Sequence, residues 1–256
     1  MAANLEEILN RNIPPESGEW LGALLSRLRQ IEGTERRTTL LNAYAAATRR
    51  LGKERLGAEE TGTERFPAWS RDDAGRALML LAVAATADDR TFGGLALDCY
   101  HNGDAREQSS WLRALPLLPG PERFLDTATD ACRTNIIPLF ESICCENAYP
   151  ARFFPELNFN QMVLKALFNV IPLVRIAGLA GRINPELSRM TDDYASEREA
   201  AGRALPTDIW LALVPHADQP GLERAKRYLK SEDSGHRHWA ALALEQRNAR
   251  IEGTPS

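Results

Sequence analysis

The polar residues with the clearest potential for chemistry lie in the second half of the 256-residue sequence. Asn158, Gln161 and Lys165 follow one another at spacings of three and four residues, which places them on one face of a helix. An ammonium group flanked by amides can bind an anion and fix its orientation. Because buried amides usually hydrogen-bond neighbouring backbone groups, the same stripe also fits a purely structural role.

A second candidate group follows in the stretch DYASEREAAGR. Arg198 shares a helical face with Tyr194 and other apolar residues, so its guanidinium needs a partner. The neighbouring carboxylates of Asp193 and Glu197 suggest an ion-pair network around it. The functional alternative is that Arg198 and Lys165 face a common hollow and together bind a carboxylate or phosphate.

The remaining motifs give weaker signals. Asp126 and Asp130 form a D-x-x-x-D pair that could hold magnesium and a diphosphate, but the second aspartate-rich segment of such a site is missing. His236 and His238 do not have the i,i+4 spacing of a helical metal site. The four cysteines form no C-x-x-C pair, and neither a G-x-S-x-G elbow nor a G-x-x-x-x-G-K loop occurs. We therefore predict no catalytic residue, no metal site and no cofactor.

Composition excludes other classes of function. With 31 Lys plus Arg against 35 Asp plus Glu, the formal charge is −4, and we predict that the protein does not bind nucleic acid. The N-terminal residues lack the pattern of a signal peptide. The longest apolar run, at 77–87, is far shorter than the roughly 20 residues that span a bilayer. These features predict a cytoplasmic protein.

Helical patterns extend along nearly the whole chain and predict an all-α fold of roughly ten or eleven helices. Ser70 and Asp73 form a capping box, and Asn184 before Pro185 is a strong helix start. Pro150 and Pro155 predict a turn ahead of a helix from about Glu156 to Val170.

We predict a single domain over residues 1–256. It comprises N-terminal helices at 1–52, a surface linker at 53–69 and a main helical body at 70–256. Two arrangements fit the pattern: irregular HEAT-like pairs stacked in a short α-solenoid, or a compact multi-helix bundle.

Three segments resemble the EboA family: CRTN at Cys132–Asn135, ENAYPARFFPELNFNQMVLKALF at Glu146–Phe168 and NPELSRMTDDYASEREAAGR at Asn184–Arg203. The resemblance is clearest over about residues 130–210. It implies a protein of metabolite traffic that helps to move small-molecule precursors toward the periplasm. Proteins encoded by the same bacterial gene cluster include a membrane prenyltransferase of the UbiA type, and no catalytic residue can be carried over from the family.

The resemblance and the polar stripe together favour a non-catalytic adapter or small-molecule carrier. Its expected partners are other proteins of the Ebo cluster, including the membrane prenyltransferase, and a small anionic or prenylated metabolite; such partners would place it at the periphery of the inner membrane. One alternative is an enzyme acting on an isoprenoid or cyclitol-like precursor, with Asp193 or Glu197 as acid or base. The other is a structural scaffold. The predicted binding residues are Arg133, Asn135, Asn147, Tyr149, Asn158, Asn160, Gln161, Lys165, Tyr194, Glu197, Arg198 and Arg203.

Overall fold

A computed structural model describes residues 2–56 and 69–252, with side chains over 4–56 and 69–250. Within these ranges the chain forms fourteen α-helices and no strand, which confirms the all-α prediction. No helix in the described ranges is both long enough and apolar enough to cross a bilayer. Most of the predicted linker at 53–69 falls on residues 57–68, which lie outside the described residues.

Six of the first eight helices contain ten or more residues. The bounds are α1 Ala2–Asn12, α2 Pro15–Gln30, α3 Gly33–Leu51, α4 Arg71–Ala84, α5 Asp89–His101, α6 Ala105–Ala114, α7 Leu125–Ala131 and α8 Ile137–Cys144. The remaining helices are α9 Tyr149–Phe153, α10 Glu156–Phe168, α11 Pro185–Ala200, α12 Trp210–Leu213, α13 Gln219–Tyr228 and α14 Ser234–Glu252. The number exceeds the prediction because short segments such as α7, α9 and α12 lack the length that hydrophobic periodicity needs.

The chain divides into two compact units, Met1–Tyr149 and Pro150–Ser256. The predicted single domain and the predicted HEAT-like stacking stay predictions. In the first unit α4 is the central helix and packs against α1, α2, α3 and α6. Its N-terminus carries the predicted capping box, because Asp73 accepts a hydrogen bond from the Ser70 backbone at 2.9 Å.

A buried network of charged groups ties α4 to its neighbours. Asp72 is fully buried and accepts hydrogen bonds from Arg76 Nη1 at 2.8 Å and from Arg106 Nε at 2.6 Å. The hydroxyls of Ser70 and Thr48 also donate to it, at 2.6 and 2.8 Å. Burial by itself raises the pKa of Asp72, but these hydrogen bonds and the charge of Arg76 lower the pKa well below its usual value. The carboxylate is therefore ionised and is held by cationic groups from two helices.

Arg76 extends the network from α4 to both α3 and α6. It is 1% exposed, and its Nε donates to the Tyr44 carbonyl of α3 at 3.0 Å. Its Nη1 also donates to Ser110 of α6 at 3.0 Å, and Ser110 donates to Asp73 at 2.6 Å. Since each charge has partners, the cluster meets the condition under which buried ions are tolerated.

In the second unit an aromatic cluster joins α12, α13 and α14. Trp210 lies 4.7 Å from Tyr228 between ring centroids, and its indole N–H donates to His236 Nδ1 at 3.1 Å. This bond requires an unprotonated Nδ1. Burial lowers the pKa of His236, while Asp233 and a hydrogen bond with the Leu205 backbone act in the opposite direction.

The helix α10 ends at an unusual backbone position. Val170 has φ of +55°, a left-handed conformation that β-branched residues rarely adopt. It follows the C-cap Asn169 and brings the Ile171 N–H to the Ala166 carbonyl at 2.9 Å. The predicted helix end at Val170 is thus two residues too late, because the left-handed turn replaces the last predicted residues of the helix.

We expect Asp72→Ala to lower the free energy of unfolding by about 3–5 kcal/mol, because Arg76 would lose its buried counter-ion. Urea unfolding followed by circular dichroism measures the change. The matched control is Asp130→Ala, which breaks an exposed ion pair with Arg133 at 2.6 Å and should cost about 0–1 kcal/mol. Equal losses in the two variants would contradict a stabilising role for the buried network.

Protonation of His236 should destabilise the second unit. Its folded-state pKa is lowered, so its contribution to stability is present above the unfolded pKa of about 6.5 and is lost as pH falls through the folded pKa. Between about pH 7.5 and about pH 5, unfolding free energy should fall more steeply in the unsubstituted protein than in His236→Gln. The exposed neighbour His238 supplies the control: His238→Gln should keep the steep dependence. The same slope in all three proteins would exclude His236 as the titrating group.

Candidate functional site

A pocket of about 340 Å³ lies within the second unit. One wall is the segment from Leu173 to Ile183, which contains two short 3₁₀ turns between α10 and α11. The second wall is α12 with the turn that follows it, represented by Leu211 and Pro215. The third wall is α14, through Trp239 and Leu242. Most of the surface is thus apolar, and the volume is at the lower end of the range of small-molecule sites.

Backbone geometry at Gly178 helps to form the first wall. Its φ is +77°, and a side chain there would place its Cβ 2.7 Å from the Cβ of Ala151. Only glycine combines the left-handed backbone with so close an approach. Gly178 therefore turns the irregular segment so that Ile176 and Leu179 line the pocket from adjoining positions.

The polar lining of the pocket comes from the C-terminal part of α14. Gln246, Arg247 and Arg250 reach the pocket there. Arg247 Nη1 donates to the carbonyls of Val214 and Ala217 at 2.7 and 2.9 Å. Arg250 Nη2 donates to the Ala180 carbonyl, on another wall, at 3.2 Å. The two arginines thus link α14 to both other walls.

The predicted binding residues of the first unit have different environments. Asn147 is 3% exposed, donates to the Leu112 and Ser142 carbonyls, and accepts from the Tyr149 N–H at 3.0 Å. Tyr149 is fully buried and donates to the Pro121 carbonyl at 2.7 Å. Arg133 and Asn135 are exposed. Asn147 and Tyr149 thus hold the backbone of a buried turn.

On α10 the predicted binding residues divide into buried and accessible groups. Asn160 is 1% exposed and forms reciprocal amide hydrogen bonds with Asn184, at 3.2 and 3.0 Å. Asn184 is the predicted N-cap of α11, since its side chain accepts from the Leu187 N–H at 2.8 Å. Gln161 is exposed, while Asn158 and Lys165 are half-buried, and Lys165 interacts with another residue. Asn160 therefore positions a helix start.

The ion-pair network suggested around Arg198 is wrong. Arg198 Nε and Nη2 both donate to the Ala204 carbonyl, at 2.9 and 2.6 Å. The left-handed Gly202, at φ +64°, reverses the chain after α11 and brings that carbonyl within reach. Asp193 pairs with Arg189 instead, at 2.6 Å. The partner of Arg198 is therefore a main-chain carbonyl.

The other predicted residues near Arg198 are also accounted for. Tyr194 is 5% exposed, donates to the Leu167 carbonyl at 3.2 Å and lies under the Arg198 guanidinium. Glu197 and Arg203 are exposed. None of the twelve predicted binding residues lines the pocket. Their role as a binding set stays a prediction.

The sequence contained a signal for the pocket that the polar motifs obscured. Residues 171–183 read IPLVRIAGLAGRI, an apolar segment interrupted by Pro172, Gly178 and Gly181. Such a segment is neither a helix nor a loop of ordinary polarity, and it must cover apolar surface with irregular backbone. On α14, Trp239, Leu242, Gln246 and Arg250 follow at helical spacings of three, four and four.

The described residues that line the pocket include no acid–base pair. Among the described lining residues, the ionisable side chains are Arg247 and Arg250. The described part of the chain also contains no group of three His, Cys, Asp or Glu residues arranged to hold a metal ion. The chemistry that this lining supports is non-covalent binding.

Comparison with known proteins gives one family. The sequence model described as "Metabolite traffic protein EboA" matches residues 1–214 of the chain. The comparisons with curated proteins and with solved structures find no match. The family match covers most of the chain, including the three segments that resemble EboA, the first pocket wall and α12 of the second. The protein therefore belongs to the EboA family of metabolite traffic proteins.

Proposed function

We propose that this EboA protein is a non-catalytic carrier that holds a small, largely apolar metabolite in the pocket of its second unit. One observation carries the proposal: the pocket combines an apolar lining with ionisable groups that are confined, among the described lining residues, to two arginines. A guanidinium can bind and orient a ligand, but it does not exchange protons near neutral pH. Transport without chemical conversion is the function that such a lining supports best, and it agrees with the family's description.

Trp239 contributes to the proposed binding in a specific way. A tryptophan offers a large rigid face at a low cost in conformational entropy, which suits it to contact an apolar ligand. Trp239 is half-buried on α14, beside the aliphatic side chain of Leu242, and both line the pocket. The ligand is thus expected to lie along α14 at this end.

Occupation of the pocket can be tested with a neutral probe. We expect decan-1-ol to bind to the full chain in isothermal titration calorimetry, and Leu242→Trp to weaken binding at least about tenfold, because the larger side chain occupies the pocket. Leu244→Trp is the matched control, because Leu244 lies on the same helix and does not line this pocket. It should bind the probe like the unsubstituted protein.

Failure of the unsubstituted protein to bind decan-1-ol, or equal binding by Leu242→Trp, would contradict the carrier proposal. Circular dichroism and thermal unfolding verify that both variants are folded. A carrier releases its ligand unchanged, whereas an enzyme converts it. The mass of the ligand recovered after incubation with the protein therefore distinguishes the two functions.

An adapter function is the second candidate, and exposed apolar side chains favour it. Leu157 and Phe168 lie on one face of α10 and are 61% and 60% exposed, and Val170 just beyond is 66% exposed. Gln161 of the predicted stripe lies on the same face. Exposed apolar residues grouped in this way are typical of protein contact sites. The partner we propose is another protein of the Ebo cluster, such as the membrane prenyltransferase, through which the chain would reach the inner membrane.

Replacement of the exposed Phe168 side chain should abolish the proposed contact with the partner protein. We expect Phe168→Ser to remove co-purification with the partner while leaving the unfolding temperature within a few degrees, because the side chain is mostly solvent-exposed. Leu229→Ser, at a separate exposed apolar position of the second unit, should retain the partner. Co-purification of each tagged cluster protein with the three chains measures the effect. Retention of the partner by Phe168→Ser would exclude this face as the contact.

A further inference from the structure

The pocket wall on α14 changes character along the helix. Trp239 and Leu242 line its N-terminal part, and Gln246 and Arg250 line its C-terminal part. Leu242 and Arg250 are eight residues apart, which corresponds to roughly 12 Å along the helix axis. The pocket therefore has an apolar end and a cationic end, separated by about the length of a short hydrocarbon chain.

Arg247 retains hydrogen-bonding capacity at the cationic end. Both of its hydrogen bonds use Nη1, which donates to Val214 and Ala217. Its Nε and Nη2 form none with the part of the chain that the structure describes. A guanidinium has five N–H donors, so three remain, in the planar arrangement that matches a carboxylate or a phosphate. The two main-chain bonds hold the group in place for such a ligand.

The ionisable groups among the described lining residues are both cationic. Arg250 is three residues from Arg247, so the two cations lie on adjacent positions of the helix surface. No Asp or Glu is among the described residues that line the pocket. This end of the lining therefore suits the head group of an anion, to which the planar edge of Arg247 can donate.

We infer that the metabolite is an amphipathic anion, whose carboxylate or phosphate is bound by Arg247 beside Arg250 and whose apolar body lies against Trp239 and Leu242. This inference rests on the proposed function and adds to it the chemical class of the cargo. The cavity volume of about 340 Å³ corresponds to roughly eleven water molecules at liquid density, so the enclosed part of the ligand has on the order of ten non-hydrogen atoms.

Three probes that share the same chain length and differ in their head group distinguish the contribution of the head group to binding from that of the apolar body. Decan-1-ol, decanoate and decyl phosphate are titrated into the full chain by calorimetry, below their aggregation limits. We expect at least one anion to bind about tenfold or more tightly than the alcohol, and its advantage to shrink as ionic strength rises. The stronger of the two anions identifies the head group as a carboxylate or a phosphate.

Arg247→Gln should lower the affinity for the preferred anion about tenfold more than it lowers the affinity for decan-1-ol. The matched control is Arg237→Gln: Arg237 is on the same helix and its Nη1 also donates to two carbonyls, those of Ser231 and Glu232, both at 2.7 Å. It loses a comparable pair of main-chain bonds outside the pocket and should bind all three probes normally. If Arg247→Gln does not fold, Arg250→Gln and the salt dependence provide the same test.

The possible outcomes separate the two proposals. Binding of the alcohol with no preference for either anion would overturn the inference and leave the carrier proposal standing. A preference that survives in both arginine variants would also overturn it. Absence of decan-1-ol binding would contradict the carrier proposal itself.

Discussion

Every α-helix leaves carbonyl groups at its C-terminus without partners inside the helix, and a chain built from many short helices must satisfy a large number of them. In this protein several arginine side chains donate hydrogen bonds to main-chain carbonyls at helix ends and in the turns that follow them. Arg182 donates to the carbonyls of Pro150, Ala151 and Phe154, at 3.2, 2.7 and 2.8 Å. Arg198 and Arg247 bind carbonyls in the same manner. Because a planar guanidinium can serve several acceptors at once, it suits irregular turns that no helical bond can close.

The need to satisfy these carbonyl groups explains which structural features could be predicted from the sequence. The all-α fold, the capping box of Ser70 and Asp73 and the N-cap Asn184 depend on local chemistry, so they were predictable within a few residues of each motif. The partner of Arg198 was not, because a carbonyl is present at every residue and leaves no trace in the sequence. The carboxylates of Glu197 and Asp193, one and five positions away, are visible in the sequence, so the ion pair was assigned to them. Similarly, Asn160 and Asn184 are 24 residues apart and meet only through the tertiary structure.

The buried charges of α4 also show what could not be predicted from the sequence. Asp72 and Arg76 are four residues apart in the first turns of α4, so their pairing could have been predicted. Their depth could not, since Arg106, Ser110 and Thr48 come from distant positions in the chain. The pocket was missed for a related reason: its walls come from three separated segments, and most of their residues are ordinary aliphatic side chains. Such residues have no distinctive spacing until folding brings them together.

The pocket walls come from different parts of the chain, and this affects how the ligand selectivity of the pocket could change in evolution. Residues 1–214, which match the family, supply nearly all of two walls, whereas α14 follows them and contributes Trp239, Leu242 and both arginines. Substitutions within this single helix would therefore alter the shape and the polarity of the cavity without changing the matched region. For the carrier that we propose, one scaffold could in this way be adapted to different cargoes by substitutions in α14, and the same helix is the natural target for redesign.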